Sequence, residues 1–356
     1  MLKKVGFLLS RTNFLYSFIP LAQYLSKLKY EITFFVPSIL DNKNNSLSHH
    51  SNKILVDELL KSYCYNLNMN SAKQKDYNID FLFTIEGHGL EEELPYHVIY
   101  IQNYNDFGRW ANKDSAWIYK LKHTAWFINS FYENEAKNLY NPSNTFSSVL
   151  PGYWAYEDKT KNEIKAKYGI HYNDNVATCF LPRPDSVDMS HTFKRDITWN
   201  TSNDPEKDLV HAIQFAKKLT DDNYKILFKQ RQKNRNYQLC TLKNYIEDIS
   251  IYPFTSLDIS YMSDLCYGYM SMSIMDSATF GTPYINFEKD CYPEELHRVI
   301  AQWYNDEGII GINLSRALSE IQVPDREFDL RSTSISLKEK ISDSKNQLCR
   351  FIKENI

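Results

Sequence analysis

The chain has 356 residues, 43% of them hydrophobic, and a net charge of −3. This length exceeds what one hydrophobic core usually holds, so two domains or one large α/β body is expected. The near balance of 41 basic and 44 acidic residues disfavours a dedicated nucleic-acid binder. The six cysteines stand singly, without a CxxC pair or a His/Cys cluster at metal spacing. This pattern argues against a metal-stapled fold and favours reduced thiols in the cytoplasm.

Strand-like and helix-like patterns alternate along the first half of the chain. Continuous apolar runs, typical of strands covered on both faces, predict strands at Val5–Ser10, Glu31–Val36, Phe81–Ile85 and Val98–Gln102. Amphipathic segments predict helices at Phe14–Leu28, Ile54–Leu67, Ser115–Leu121 and Glu133–Leu139. This alternation predicts βαβ units and a parallel sheet. No stretch approaches the ~18 apolar residues that a transmembrane helix needs.

The pattern breaks near Pro151 and then starts again in the same style. Helices are predicted at Lys159–Tyr168, 204–219, Leu242–Ile249, Ser273–Phe280 and Ser334–Asn355. Strands are predicted at Val176–Leu181, Lys225–Lys229, Leu265–Tyr267 and Tyr284–Phe287. We therefore predict an α/β protein with two Rossmann-like domains, 1–155 and 156–333, facing each other across a cleft, and a terminal helix, 334–356, returning to the first domain.

The segment from Ser263 to Pro283 reads as a strand, a hydroxyl-rich turn, a helix and a Gly-Thr-Pro exit. Ser271 and Ser273 lie where a helix begins, and free N–H groups and the helix dipole favour a phosphate there. Asp276, five residues after Ser271, is placed to bind a ribose hydroxyl. The alternative is that these residues only cap the helix, because serine and aspartate stabilise helix starts without any ligand.

Cations follow two other predicted strands of the second half. Lys229 and Arg231 belong to a run of four cations in seven residues, and both are suitable phosphate partners. A solvated basic turn is the alternative interpretation. Arg183 follows the first strand of the second domain and is a further candidate for contact with a phosphorylated ligand.

Titratable side chains follow the strands of the first half. Glu86 and His88 come directly after a predicted strand, among glycines that let a ligand approach the backbone. Either side chain is suited to deprotonate a hydroxyl. Asp106, after the next predicted strand, is a rival base, and a solvated loop without a catalytic role is the alternative.

Several catalytic motifs are absent from the sequence. It has no GxxxxGK[ST], no GxGxxG, no GxSxG and no HExxH, which disfavours P-loop, dehydrogenase, serine-hydrolase and zinc-protease chemistry. It also has no DxD between apolar strands. A reaction without a bound metal ion is therefore favoured, in which cations and helix ends stabilise negative charge that develops on a phosphate.

The segment that contains Ser271 and Asp276 resembles the donor site of GT-B glycosyltransferases, and particularly of the CDP-glycerol glycerophosphotransferase group. The residues that match the layout in order are Asp264, Ser271, Asp276, Gly281 and Pro283. Tyr269 and Met272 stand where that group has an Asp and a second Ser, which favours a sugar donor over CDP-glycerol.

The resemblance implies a glycosyltransferase that moves a sugar from a nucleotide-activated donor to a glycan or lipid-linked glycan acceptor in bacterial capsule or lipooligosaccharide synthesis. The implied donor-binding residues are Arg183, Lys229, Arg231, Ser271, Ser273 and Asp276. The implied base is Glu86, His88 or Asp106, with no cofactor besides the donor substrate. The implied location is the cytoplasm, and a peripheral position at the inner membrane is left open. Alternatives are an enzyme like UDP-N-acetylglucosamine 2-epimerase, a CDP-glycerol-type transferase and a non-catalytic nucleotide-sugar-binding subunit.

Overall fold

The computed structural model describes residues 3–9, 12–36, 50–68, 74–85, 94–102, 123–127, 133–134, 137, 144–181, 186–188, 198–200, 205–229, 245–246, 255–269, 273–288, 310–313 and 336–355. The chain divides into two compact units. The first comprises Met1–Asp158 and Lys338–Ile356, and the second comprises Lys159–Leu337. Each unit contains a parallel sheet with helices.

The first unit holds seven strands and three α-helices with described bounds, and Glu133, Asn134 and Lys137 are helical as well. The strands are β1 (Lys4–Leu8), β2 (Glu31–Phe35), β3 (Leu67–Asn68), β4 (Phe81–Thr84), β5 (His97–Ile101), β6 (His123–Phe127) and β7 (Asn144–Ser147). The helices are α1 (Leu15–Lys27), α2 (His50–Ser62) and, from the end of the chain, α7 (Leu337–Asn355). A 3-10 helix, Pro151–Tyr156, follows β7.

The seven strands form one parallel sheet in the order β3-β2-β1-β4-β5-β6-β7. Phe7 in β1 lies at its centre and is fully buried. Its ring centroid is 5.0 Å from that of Phe34 and 5.3 Å from that of Phe83, on the two neighbouring strands. The continuous apolar runs therefore form strands because both of their faces are covered.

The terminal helix α7 packs within the first unit through one stripe of its surface. Ile341, Leu348 and Ile352 are its buried apolar residues, and their spacing of seven and four places them on one helix face. Ser344, on the same face, donates a hydrogen bond of 2.7 Å to the carbonyl of Val149. The end of the chain thus completes the unit in which the chain begins.

The second unit holds four described α-helices and eight strands. The helices are α3 (Lys161–Lys167), α4 (Pro205–Asp221), α5 (Thr255–Met262) and α6 (Ser273–Phe280). The strands are β8 (Asn175–Phe180), β9 (Ser186–Asp188), β10 (Thr198–Asn200), β11 (Tyr224–Lys229), β12 (Tyr245–Ile246), β13 (Leu265–Tyr269), β14 (Tyr284–Glu288) and β15 (Ile310–Asn313). Six strands form a parallel sheet in the order β12-β11-β8-β13-β14-β15, whereas β9 and β10 pair antiparallel.

The structure confirms the strands that were predicted from strongly apolar runs. Several elements with a weaker pattern differ from the predictions. The predicted helix Leu242–Ile249 is wrong at Tyr245–Ile246, which pair with β11 as a strand. Helix α2 ends at Ser62 rather than Leu67, because the chain turns at Cys64, whose φ is 64°, and then forms β3. The predicted helix Ser115–Leu121 lies outside the described residues.

Seven of the described strands were not expected from the sequence. Besides β3, β12 and the antiparallel pair β9 and β10, they are β6, β7 and β15 of the two parallel sheets. Those last three differ in composition from the predicted strands. Strand β6 begins with polar residues, β7 is polar and lies at the edge of its sheet, and β15 contains a glycine. None presents a continuous apolar run, so their pairing depends on the sheet that receives them.

Candidate functional site

A row of four residues crosses the second sheet near the carboxyl ends of its strands. Lys229 pairs with Phe180, Phe180 with Gly268, and Gly268 with Asn286, across β11, β8, β13 and β14. The carboxyl ends of parallel strands are where ligands bind in open α/β sheets. This row therefore marks the edge at which a ligand of the second unit is expected.

The side chains of this row lie on the face that α6 covers. Their strand neighbours Phe228, Cys179 and Tyr267 belong to the apolar core packed against α4, and side chains alternate along a strand. The other face of the sheet carries Cys266, and Ser277 of α6 is close enough to lower the pKa of its thiol. Helix α6 consequently lies over the face that carries the side chains of Lys229 and Asn286.

Helix α6 begins at this same edge, directly after β13. Ser273 is its first residue and Asp276 lies in its first turn, and both side chains are largely buried. The backbone N–H groups of a first helical turn and the helix dipole favour an anion at such an end. A carboxylate does not bind a phosphate, so Asp276 is suited to a hydroxyl group beside the anion.

The interior beneath α6 is closed to solvent at Cys266 and Ser277, which have no exposed surface. Burial and, more weakly, the charge of Asp276 raise the pKa of the Cys266 thiol to about 12. Asp276 belongs to the helix that covers this face. In such surroundings electrostatic interactions with a ligand are stronger than they are in water.

Lys229 brings a positive charge to the site. It is the last residue of β11 and only 5% exposed, which is rare for lysine. An ammonium group acts as a point charge towards an anion. Lys229 and the start of α6 are thus two sources of positive potential at one edge of the same sheet.

Gly268 occupies the centre of the row and has no substitute. Its φ is 144°, and a Cβ atom there would lie 2.3 Å from the carbonyl oxygen of Phe180. Only glycine tolerates both this conformation and this proximity. Gly268 therefore fixes the close approach of β8 and β13 next to the start of α6.

Asn286 is a polar residue of this site that the sequence analysis did not identify. Its side chain is fully buried, and neither Nδ2 nor Oδ1 has a hydrogen-bond partner. An asparagine inside an apolar strand, Tyr-Ile-Asn-Phe, was a usable signal, because buried polar groups normally have partners.

Three of the predicted donor-binding residues lie in the described part of the second unit. Lys229, Ser273 and Asp276 lie at the carboxyl edge of its sheet, on or above one face. The other predicted donor residues lie outside the described residues: Arg183, Arg231 and Ser271.

The candidate bases Glu86, His88 and Asp106 also lie outside the described residues. The strands that precede them, β4 and β5, are parallel neighbours in the first sheet. Their carboxyl ends therefore lie side by side.

Asp264 does not belong to this edge. It stands immediately before β13 rather than at its end, so it lies at the amino edge of the sheet. Its Oδ2 accepts hydrogen bonds from the backbone N–H of Val176, at 2.9 Å, and from Nζ of Lys165, at 3.3 Å. Asp264 thus ties β13 to β8 and α3, and its match to the donor-site layout has a structural explanation.

Among the described residues, no group of three His, Cys, Asp or Glu side chains is placed to hold a metal ion. In the same part of the chain, no helix combines the length and the apolar character needed to cross a membrane.

Comparison with known proteins shows similarity in structure only. No protein-family model matches the chain, and no curated protein sequence matches it. The wall teichoic acid polymerase TagF is similar over 99% of this chain and 89% of its own, with a TM-score of 0.57 and 12% identity.

Two other solved structures are similar over nearly the whole chain. The UDP-GlcNAc 2-epimerase of Neisseria meningitidis, bound to UDP-GlcNAc, covers 99% of this chain and 100% of its own, with a TM-score of 0.57 and 12% identity. The Arabidopsis thaliana protein UGT89C1, in complex with UDP, covers 98% and 100%, with a TM-score of 0.52 and 9% identity. The prediction of two Rossmann-like domains is confirmed: the chain has the GT-B fold, which glycosyltransferases and a 2-epimerase share.

Proposed function

We propose that this protein is a metal-independent glycosyltransferase, which moves a sugar from a nucleotide-activated donor to a glycan acceptor. The second unit binds the donor and the first binds the acceptor. The observation that carries the proposal is the placement of Lys229, Ser273 and Asp276 at one edge of the second sheet. The similarity to structures of nucleotide-sugar enzymes supports it.

The donor site has complementary parts for a nucleotide diphosphate. In the proposed complex, Lys229 and the N–H groups that begin α6 bind the diphosphate, and the hydroxyl of Ser273 donates to it. The carboxylate of Asp276 accepts a hydrogen bond from a ribose hydroxyl. As the bond to the sugar breaks, negative charge grows on the leaving phosphate, and the same fixed donors stabilise it.

Residues outside the described part of the chain complete the proposal. Arg183, Arg231 and Ser271 extend the phosphate contacts, and Arg offers a two-pronged fork for phosphate oxygens. Glu86, His88 or Asp106 removes the proton of the attacking acceptor hydroxyl. A carboxylate or imidazole serves as this base when its pKa lies near the working pH.

We assign the reaction to bacterial surface-polysaccharide synthesis, such as capsule or lipooligosaccharide, on the cytoplasmic side of the membrane. The resemblance in the segment of Ser271 and Asp276 and the structural similarity to a wall teichoic acid polymerase support this setting. The acceptor is then a glycan or a lipid-linked glycan.

A donor screen tests the proposal. Purified protein is melted with UDP, CDP, CMP, GDP and dTDP and with their common sugar conjugates, because a ligand that binds only the native state raises the melting temperature. We expect one nucleotide class to stabilise the protein. The stabilising conjugate is then incubated with candidate acceptors, and transfer is followed by mass spectrometry.

The acceptor dependence separates the alternatives. A transferase consumes the donor in proportion to the acceptor supplied. An epimerase converts the donor to an isomer without any acceptor, and a non-catalytic subunit binds the donor without turnover. Stabilisation by CDP-glycerol alone would replace the sugar donor with a polyol phosphate.

A further inference from the structure

The side chain of Asn286 is buried without a hydrogen-bond partner at the edge where the donor is proposed to bind. Its exposed fraction is 0%, and both polar atoms of its amide lack a partner. Most buried side-chain amides in proteins have at least one hydrogen bond. An amide that lacks every partner therefore requires an explanation.

The position of Asn286 connects it to the donor site rather than to the body of the core. It pairs with Gly268, one residue before the end of β13. Helix α6 begins four residues after Tyr269, the last residue of β13, and runs over the face that carries the Asn286 side chain. The amide therefore lies on the face that α6 covers, close to the carboxyl edge at which α6 begins.

The surroundings of Asn286 offer apolar packing instead of hydrogen bonds. Tyr284, two residues earlier on the same face, is fully buried, and its ring stacks on Phe180 at a centroid distance of 6.3 Å. A leucine of similar volume would satisfy such surroundings without unpaired polar atoms. The unpaired amide of Asn286 thus lowers the stability of the ligand-free protein. Residues that lower stability in this way concentrate at functional sites.

The chemistry of an amide selects the ligand group. Nδ2 donates and Oδ1 accepts, so the amide matches a hydroxyl, which accepts and donates in turn. A phosphate offers acceptors only and would leave Oδ1 without a partner. The matching ligand part is a hydroxylated group attached to the phosphate, next to the anion bound by α6.

We propose that Asn286 is a specificity-determining residue that binds a hydroxyl of the sugar or polyol carried by the donor phosphate. This inference rests on the proposed function, because it deepens the donor site defined by Lys229, Ser273 and Asp276. According to this inference, the buried amide of Asn286 makes the protein bind the sugar or polyol conjugate more tightly than the bare nucleotide.

The test compares Asn286→Leu with Thr178→Val. Thr178 is a buried polar residue on the same face, but its hydroxyl is hydrogen-bonded to Ser263 at 2.8 Å. Calorimetry measures the Kd of UDP and of UDP-N-acetylglucosamine, and of CDP and CDP-glycerol, and melting is recorded without ligand. The informative quantity is the ratio of the two Kd values within each pair.

We expect Asn286→Leu to melt at the same or a higher temperature than wild type. Its Kd for the bare nucleotide should stay within about twofold, and its Kd for the preferred conjugate should rise at least tenfold, the usual effect of losing a buried hydrogen bond to a ligand. Thr178→Val should melt at a lower temperature and keep the wild-type ratio.

One result would contradict the inference alone: an unchanged ratio of Kd values in Asn286→Leu, whether both affinities stay at the wild-type values or both weaken equally. Should Asn286→Leu fail to fold, Asn286→Asp, of equal size, repeats the test, and an unchanged ratio there is again contradictory. Wild-type protein that binds no nucleotide at all would instead contradict the proposed function, so the two failures are distinguishable.

Discussion

At the scale of residues, two glycines flank α6 for different reasons. Gly268 is enclosed by the backbone of Phe180, whereas Gly281 has a φ of 70° and open space around its Cβ position. The N–H of Gly281 bonds to the carbonyl of Ala278, and the N–H of Thr282 bonds to that of Ser277, which is the Schellman end of a helix. One glycine thus serves strand proximity and the other a helix end.

We predict that Gly268→Ala destabilises the protein by about 2–4 kcal/mol, because it adds a steric clash to backbone strain. Gly281→Ala should cost only about 1 kcal/mol, since strain alone opposes it. Urea unfolding of both variants checks the order. Equal losses of unfolding free energy in the two variants would contradict this account, because they would show that β8 and β13 can move apart to accept a Cβ atom at position 268.

The positions of the two candidate donor residues of α6 and of Lys229 at the ends of their elements could be predicted from the sequence, because each element has a clear pattern. Their role in donor binding stays a prediction. The asparagine inside an apolar strand was a signal that Asn286 is unusual, but the role proposed for it could not be predicted from the sequence. Its importance depends on the register with Gly268 and on the helix that covers it, and neither follows from local pattern. Asp264 misled for a related reason, since a residue before a strand and one after it lie at opposite edges of the sheet.

At the scale of elements, Lys345 holds α7 against the rest of the first unit more strongly than Lys338 does. The Nζ atom of Lys345 lies 2.5 Å from Glu157, 5.6 Å from the ring centroid of Tyr24 and 5.7 Å from that of Trp154. Lys338, on the same helix, forms an ion pair with Asp158 at 3.2 Å, and both of these side chains are at least 70% exposed.

We predict that Lys345→Ala lowers the free energy of unfolding by about 1–2 kcal/mol, because cation–π contacts and a half-buried ion pair are lost together. Lys338→Ala should change it by less than about 0.5 kcal/mol, as is usual for an exposed pair. Chemical denaturation measures both. A larger effect in Lys338→Ala would contradict this account of how α7 is held.

The contact of α7 with β5 predicts a pH dependence. Burial lowers the pKa of His97, whose Nε2 lies 3.0 Å from Oγ1 of Thr124 and whose ring lies 5.7 Å from that of Phe351. The native state therefore keeps His97 neutral, while the unfolded chain binds a proton near pH 6.5. The stability that neutral His97 contributes to the native state is therefore present above pH 6.5 and is lost as the pH falls below that value.

We expect wild-type stability to fall between pH 7 and pH 5, and the fall to be smaller in His97→Gln. The contribution of His97 stays below about 1.4 kcal/mol per pH unit, the limit for one proton, and partial exposure reduces it further. Urea unfolding at the two pH values gives the comparison. A parallel fall in both proteins would exclude His97 as its source.

The elements that the sequence predicted well are those with continuous apolar runs or a strong helical stripe, such as β1, β4, β8 and α7. The short or polar strands β7, β12 and β15 obtain their structure from a neighbouring strand. Tyr245–Ile246 shows this most directly, since a helical pattern there is overridden by pairing with β11.

At the scale of the whole molecule, the fold was predictable because two halves repeat the same alternation of strand and helix. What the fold does is a separate question, since one architecture hosts several chemistries. The central claim is that the edge defined by Lys229 and the first turn of α6 binds the diphosphate of a nucleotide donor. This claim is independent of the acceptor and of the identity of the base.

The most direct measurement is a calorimetric titration of nucleoside diphosphates into wild-type protein, Lys229→Met and Lys217→Met. Lys217 is an exposed lysine of α4 and serves as the matched control. The account predicts one-to-one binding of one nucleotide class to wild type and to Lys217→Met, with affinity reduced at least tenfold in Lys229→Met, because a charge-assisted contact to phosphate is removed. Equal affinity in all three proteins, or no binding to wild type at millimolar concentration, would contradict it.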